Sequence, residues 1–375
     1  MENKVSFVNV MKFAGAYCAC AIGSGFATGQ EIMQFFTAEG IMSILGAVIT
    51  MGVFGWVGGT AMKHAKDLNL ILPDSIVQYY FSEKLGKVFG IIVQLFLFAV
   101  FVIMIAGSGA TLAEYYGINP YVGRIGMIVL SLISVLLNLN KLVDILGSMG
   151  IVIIILAVSV GLISFFKNAG ALSTAAEIIP TLDMTRASGN WLFSAILYPG
   201  FNGIVVLIFS AGIGMTANSG KEAMCGGLVG GILFGLAVLC MNLGLMVNVT
   251  EVWDKQIPSL VLASNIFPVL GTIFSVIIII GIYTTAVPML WTSAGLFGKQ
   301  GSKSYVIAAV VLSIVAFILG LTDFDVLVNT IYPFSGYIGI LMMVIMLWRC
   351  LFDKRDKTEV GKALNEAAAK KASKQ

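Results

Sequence analysis

Long apolar runs constrain this chain more than anything else in it. A helix crossing about 30 Å of hydrocarbon needs about 20 predominantly apolar residues, and runs of that length recur along the sequence. They predict ten spans near 8–36, 40–62, 86–113, 120–138, 142–166, 191–219, 223–249, 266–297, 304–321 and 326–352. The expected fold class is therefore all-α and integral to the membrane. Composition agrees, with 58% apolar residues, 11% charged and a mean hydropathy of +0.98. A soluble domain carries about a quarter charged residues, so this chain could not cover a water-facing surface. The first run is not read as a cleaved signal peptide, because it continues through Glu31 and Gln34 with no small-residue cleavage site.

Lysine and arginine placement sets an expected orientation. With the N-terminus inside, eighteen of the 22 cationic residues fall in inner segments, and only Arg124, Lys167, Arg186 and Lys255 fall outside. Cytoplasmic loops collect positive charge, so both termini are expected in the cytoplasm of a multi-pass protein of the cell (inner) membrane. The net charge of +3 then reflects topology and no nucleic-acid partner. The lysine-rich tail, 353–375, is expected to be solvated and to touch anionic headgroups. The five cysteines (Cys18, Cys20, Cys225, Cys240 and Cys350) show no CxxC pairing and read as small packing residues.

The spans divide into two halves, 1–166 and 191–352, joined by a loop over 167–190 expected to be extracellular. Five spans is an odd number, so halves of one fold would sit inverted, a recurrent basis of secondary transporters. The first span of each half carries a helix-breaking cluster: Gly23-Ser24-Gly25-Phe26-Ala27-Thr28-Gly29, and Tyr198-Pro199-Gly200-Phe201-Asn202-Gly203. Glycine costs about 1 kcal/mol and proline about 3 kcal/mol inside a helix. Unpaired backbone groups at membrane depth are tolerated only where protein, ligand or trapped water satisfies them. Two such clusters at corresponding places point to a solute site at the midplane. Phe26, Phe201, Asn202 and Ser108 are the side chains expected nearest it, and they suit a small neutral solute. Gly107-Ser108-Gly109, Gly226-Gly227 and Gly230-Gly231 also read as close-packing surfaces.

Three carboxylates fall within or at the ends of spans: Glu31, Glu114 and Asp144. An intramembrane carboxylate is costly and is a functional candidate by default. Asp144 follows Lys141 at ion-pair spacing, and Glu114 sits beside Tyr115 and Tyr116 near the interface. Glu31 has no cation near it in sequence, so it either exchanges protons or faces a water-filled vestibule. An enzyme is disfavoured. The lone histidine, His64, is expected in the cationic collar at the inner edge of span two, leaving Ser24 without a base, and there is no HExxH for zinc.

Ala21-Ile22-Gly23-Ser24-Gly25-Phe26 resembles the unwound Gly-x-Gly segment of LeuT-fold transporters. The run Gly25-Phe26-Ala27-Thr28-Gly29-Gln30-Glu31 looks closest to the bacterial YkvI-type membrane proteins. The resemblance covers nearly the whole chain, including an inner amphipathic segment from Pro73 to Lys84. It implies a LeuT-like 5+5 inverted repeat with helices one and six broken, and cation-coupled symport of a small neutral or zwitterionic solute, foremost an amino acid. A proton-coupled amine or nucleobase permease, a channel and a non-transporting sensor are the alternatives. Amides around Gly23, Ser24 and Gly25 would face an anionic group, carbonyls near Phe201 and Asn202 an ammonium, and bare backbone at Gly25 and Gly203 would approach the solute closely. The spacing Gly281, Thr284, Thr285 is similar to the fold's second sodium site, to which Ala19 and Ile22 would add carbonyls. Sodium would be the coupling ion, with no other cofactor, and Glu31 is the candidate should protons drive transport. The fold's Arg–Asp outer gate is not matched, since the region offers Gln30 and Glu31.

Overall fold

Glycine stripes set how these helices meet. In a computed structural model describing residues 5–137 and 150–372, α4 (Met42–Asp67) crosses α11 (Gly220–Met246) closely. A Cβ on Gly227 would strike the backbone of Gly59, and one on Gly231 that of Gly55. One position earlier, Gly226 and Gly230 face Phe13 and Ala14 of α1 (Phe7–Ala21). One helix thus carries two adjacent small-xxx-small stripes, each docking a different neighbour. Farther along, Gly244 meets Gly161 of α8 (Gly150–Lys167). The expectation that the paired glycines of span seven are packing surfaces matches these contacts.

Every regular element among the described residues is helical. Short helices α2 (Ser24–Thr28) and α3 (Gln30–Phe35) follow α1. Around them stand α6 (Glu83–Tyr116), α7 (Pro120–Leu136), α10 (Trp191–Met215), α14 (Pro268–Ala294), α15 (Lys303–Leu319) and α16 (Phe324–Phe352). Six helices, α4, α6, α10, α11, α14 and α16, are long and apolar enough to cross a membrane alone. Helices α1, α7 and α15 are shorter apolar helices, and α8 bends by 76° into the segment after it. Two packed groups result: α1, α4, α10 and α11 in one, and α6, α7, α14 and α15 in the other. Lys141 and Asp144 lie outside the described residues.

The connections are structured too. Between α4 and α6, α5 (Ser75–Tyr80) buries Ile76, Tyr79 and Tyr80, in line with the amphipathic segment expected there. His64 does not stand in a solvated collar. It is buried under α5, with Nδ1 2.7 Å from the Tyr80 hydroxyl, because the rings of Tyr79 and Tyr80 cover it. The loop over 167–190 holds α9 (Leu172–Ile178), and its Ala187 N–H donates to the Gln34 carbonyl at 3.0 Å. The tail is more than a solvated extension. Its helix α17 (Lys357–Ala372) brings Gly361 against the Leu68 carbonyl, and Asn365 bonds Ile71 N and Asn69 O at 3.0 and 2.9 Å. Before it, Arg355 grips Asp353 with two bonds of 2.8 and 2.7 Å, which hold that carboxyl down at about 2.

The expected break of span six is corrected by the structure. Helix α10 runs without interruption from Trp191 to Met215 with Pro199 inside. Proline removes one N–H, so the carbonyl four residues earlier loses its helical partner. That carbonyl belongs to Ala195, and the Thr50 hydroxyl of α4 donates to it at 2.9 Å. The neighbouring helix supplies the missing bond, and the backbone need not unwind. The glycines serve packing: Gly200 abuts Gly336 and Gly339 of α16, and a Cβ on Gly203 would meet the tip of Met342 at 3.0 Å.

Candidate functional site

Span one does break. Helix α1 stops at Ala21, and Ile22 and Gly23 are extended at φ −87°, ψ 94° and φ −101°, ψ −168°. After the five residues of α2, Gly29 turns left-handed at φ +80°, and α3 begins. A side chain on Gly29 would stand 3.1 Å from the Ser259 backbone nitrogen, so both conformation and space demand glycine there. Neighbouring hydroxyls take up part of the irregular backbone. Ser259 Oγ donates to the Ala27 carbonyl at 2.5 Å, and Thr28 Oγ1 to the Gly25 carbonyl at 2.7 Å. Ser259 belongs to α13 (Pro258–Ile266), which fixes α2 from the side.

Helix α3 then presents two adjacent faces with different chemistry. Residues four apart share one face of a helix. Glu31 and Phe35 point toward α10, where Tyr198 donates its hydroxyl proton to Glu31 Oε2 at 3.1 Å. The Glu31 carboxyl lies where a side chain on Gly25 would stand, and the Tyr332 hydroxyl is 3.3 Å from that position. Glu31 is 6% exposed, and among the described residues no lysine, arginine or histidine pairs with it. Aromatic rings close the surroundings. Phe201 stacks on Tyr332 at 4.6 Å with planes 3° apart, Phe35 lies 5.5 Å from Phe201, and Tyr198 stacks on Phe234 at 5.7 Å. Phe26, fully buried, meets Phe234 from the break.

On the neighbouring face, Gln30 and Gln34 line a cavity of about 150 Å³ that Trp253, Asp183, Asp254 and Asp325 also line. Gln34 spends its amide N–H on the Asp325 carbonyl at 2.9 Å. The side-chain oxygens of both glutamines are buried with no hydrogen-bond partner among the described residues. The cavity's lysine, Lys255, pairs with Asp254 at 3.1 Å.

The expected site residues are only partly gathered here. Gly23, Ser24, Gly25 and Phe26 form the break, and Phe201 joins the ring cluster. Asn202 turns its amide back on its own helix, donating to the Tyr198 carbonyl at 3.0 Å. Ser108 is spent between helices, its hydroxyl shared by the Ile105 and Gly123 carbonyls at 2.7 and 3.0 Å. Gly203 belongs to the α10–α16 contact. Thr284 and Thr285 both donate to the Gly281 carbonyl, at 3.0 and 2.9 Å, on a helix that packs against α2. Ala19 lies in the last turn of α1 and Ile22 in the break. Tyr198, Tyr332, Phe35 and Phe234 were not expected at the site. Gln30 and Gln34, polar at i and i+4 within an apolar run, were the available signal for the second face.

No protein-family model matches the chain. It is 24% identical over 341 residues to the uncharacterized membrane protein YkvI of Bacillus subtilis, covering 90% of this chain and 94% of that one. To YyaD of the same organism it is 24% identical over 343 residues, covering 90% and 96%. MhsT, solved in complex with L-phenylalanine, superposes with a TM-score of 0.62 at 14% identity over 98% of this chain and 93% of that one. A manganese transporter of Eremococcus coleocola gives 0.55 at 13% identity over 98% and 94%, and inward-facing Mhp1 gives 0.53 at 11% over 92% and 76%. The chain thus has the LeuT fold of these proteins, and over nearly its full length it resembles the YkvI-type membrane proteins.

Proposed function

We propose that this protein is a secondary transporter that moves a small solute across the cell membrane by alternating access, with its site where α1 gives way to α2. The observation that carries this is the buried Glu31 carboxyl folded over Gly25 at the backbone break, with no cation paired to it among the described residues. An intramembrane carboxylate without a cation is costly and is retained where it does work. Transporters of the same fold give the reading its context, among them a manganese transporter and a protein that binds L-phenylalanine. Taking α1–α3 as one span, with α4, α6, α7, α8, α10, α11, α14, α15 and α16 as nine more, gives five and five in inverted orientation. Both termini would be cytoplasmic. External labelling should modify Ser173→Cys and spare Ser302→Cys, and the reverse pattern would overturn the orientation.

Sodium is the proposed coupling ion, at Gly281, Thr284 and Thr285 with the carbonyls of Ala19 and Ile22. The threonine protons turned onto Gly281 leave hydroxyl lone pairs for a hard cation. Proton coupling through Glu31 is the second reading, favoured by the absence of an ion-pair partner among the described residues. Counterflow in proteoliposomes tests transport itself: labelled solute should exchange in the unmutated protein and fail to exchange in Gly25→Val, whose side chain displaces Glu31. Exchange at a normal rate in that variant would make the break a packing feature. Replacing both threonines by valine should abolish sodium dependence, because coupled ligands lose affinity reciprocally. An amino acid was the expected solute. Glu31 speaks against a solute carboxylate at the break, because the protein places its own carboxyl beside the segment expected to face one.

A further inference from the structure

We infer that the solute is a monovalent organic cation, an amine or quaternary ammonium. The inference rests on α1–α3 being the solute site.

The first observation is the ring cluster. Tyr198 and Tyr332 stand at the one carboxyl at the break, and Phe35 and Phe201 pack against those two rings. Aromatic faces attract cations through the ring quadrupole, and more strongly when water is excluded. A buried carboxyl beside rings, with no cation paired to it among the described residues, is completed by a ligand carrying positive charge and apolar surface.

The second observation is independent and lies on the other face of α3. Gln30 and Gln34 both line the cavity, and their side-chain oxygens, Gln30 Oε1 and Gln34 Oε1, are buried acceptors beside it with no hydrogen-bond partner among the described residues. Buried polar groups without partners are rare and call for explanation, and a ligand with N–H donors or positive charge supplies one. Asp183 and Asp325 add negative charge, Trp253 adds a ring, and Lys255 is already neutralised by Asp254. Gln30 and Glu31 are consecutive on a helix, so the cavity and the ring cluster lie on adjacent faces of one short rod. Both select the same ligand chemistry. A metal dication fits less well, since no three His, Cys, Asp or Glu side chains converge among the described residues.

The test uses the full-length protein in nanodiscs and calorimetric titration with methylammonium, tetramethylammonium and choline. Comparators are 3,3-dimethyl-1-butanol, the uncharged isostere of choline, and L-alanine. At least one cation should bind, and choline should bind at least about tenfold more tightly than its isostere. Glu31→Gln should cost at least about tenfold and Phe201→Leu several-fold, in variants that keep a monodisperse gel-filtration peak. The isostere comparison needs no variant. Equal binding of choline and its isostere, tighter binding of L-alanine, undiminished affinity in folded Glu31→Gln, or no binding of any cation would each overturn the inference. Binding without counterflow would sink the transport reading and leave the cation site standing. Counterflow of L-alanine that tetramethylammonium does not inhibit would do the opposite.

Discussion

The two glycine clusters look alike as sequence, yet the backbone treats them differently. At Ile22–Gly23 the chain leaves the helix, and it turns again at the left-handed Gly29. Through Tyr198–Gly203 it stays helical despite Pro199. The difference is in what stands alongside. Thr50 donates to the carbonyl that Pro199 orphans, and α16 fills the grooves left by Gly200 and Gly203. At the first cluster, Ser259 takes the Ala27 carbonyl outside any helical pattern, and Glu31 fills the place beside Gly25. A helix breaker in a membrane therefore breaks a helix only when the neighbours accept the broken form.

That contrast can be broken at several points. The largest effect is expected for Gly29→Val. A β-branched residue in the left-handed region costs roughly 1–2 kcal/mol, and contact with the Ser259 backbone adds to it, so folded yield after detergent extraction should collapse. A normal yield would mean that the second turn of span one is not as described. Next comes Thr50→Val, which leaves the Ala195 carbonyl buried and unpaired at a cost of about 1–3 kcal/mol. Thr50→Ser should retain most of the stability. Adding Pro199→Ala restores an N–H that can reach Ala195, so heating the double variant should show a smaller loss than Thr50→Val alone. Strict additivity would remove Thr50 from the explanation. The smallest effects are expected where there is room. Gly23→Ala places its Cβ in open space at an ordinary φ, and Gly203→Ala meets the flexible end of Met342 and, at ordinary contact distance, Val57. Both should stay within about 0.5 kcal/mol of the unmutated protein in thermal stability. A large loss in Gly203→Ala would mean that Met342 cannot yield and that the contact of α10 with α16 is tighter than described.

Much of this was legible without coordinates. Apolar run length marked the membrane helices, and the paired glycines of span seven announced a close crossing, because only small residues let backbones approach in lipid. The first break could be read from glycine density, and Glu31 from its isolation among apolar neighbours. Span six was misread because propensity is local, and the compensating hydroxyl lies 145 residues away. Ser108 was misplaced for a related reason. A hydroxyl near the right depth looks available until its helix is rotated, and here it faces Gly123 of α7.

By itself, the sequence determined the solvent this protein folds in, the positions where its helices can cross closely, and the single carboxyl placed within a span far from any cation in sequence. These follow from composition and spacing, which are properties of the chain alone. Only the tertiary structure decided which glycine cluster unwinds, that Tyr198 and Tyr332 meet at Glu31, and that Gln30 and Gln34 line one cavity. Each of those depends on a partner from a distant segment, and local sequence does not encode which hydrogen bond or ring a neighbouring helix will bring.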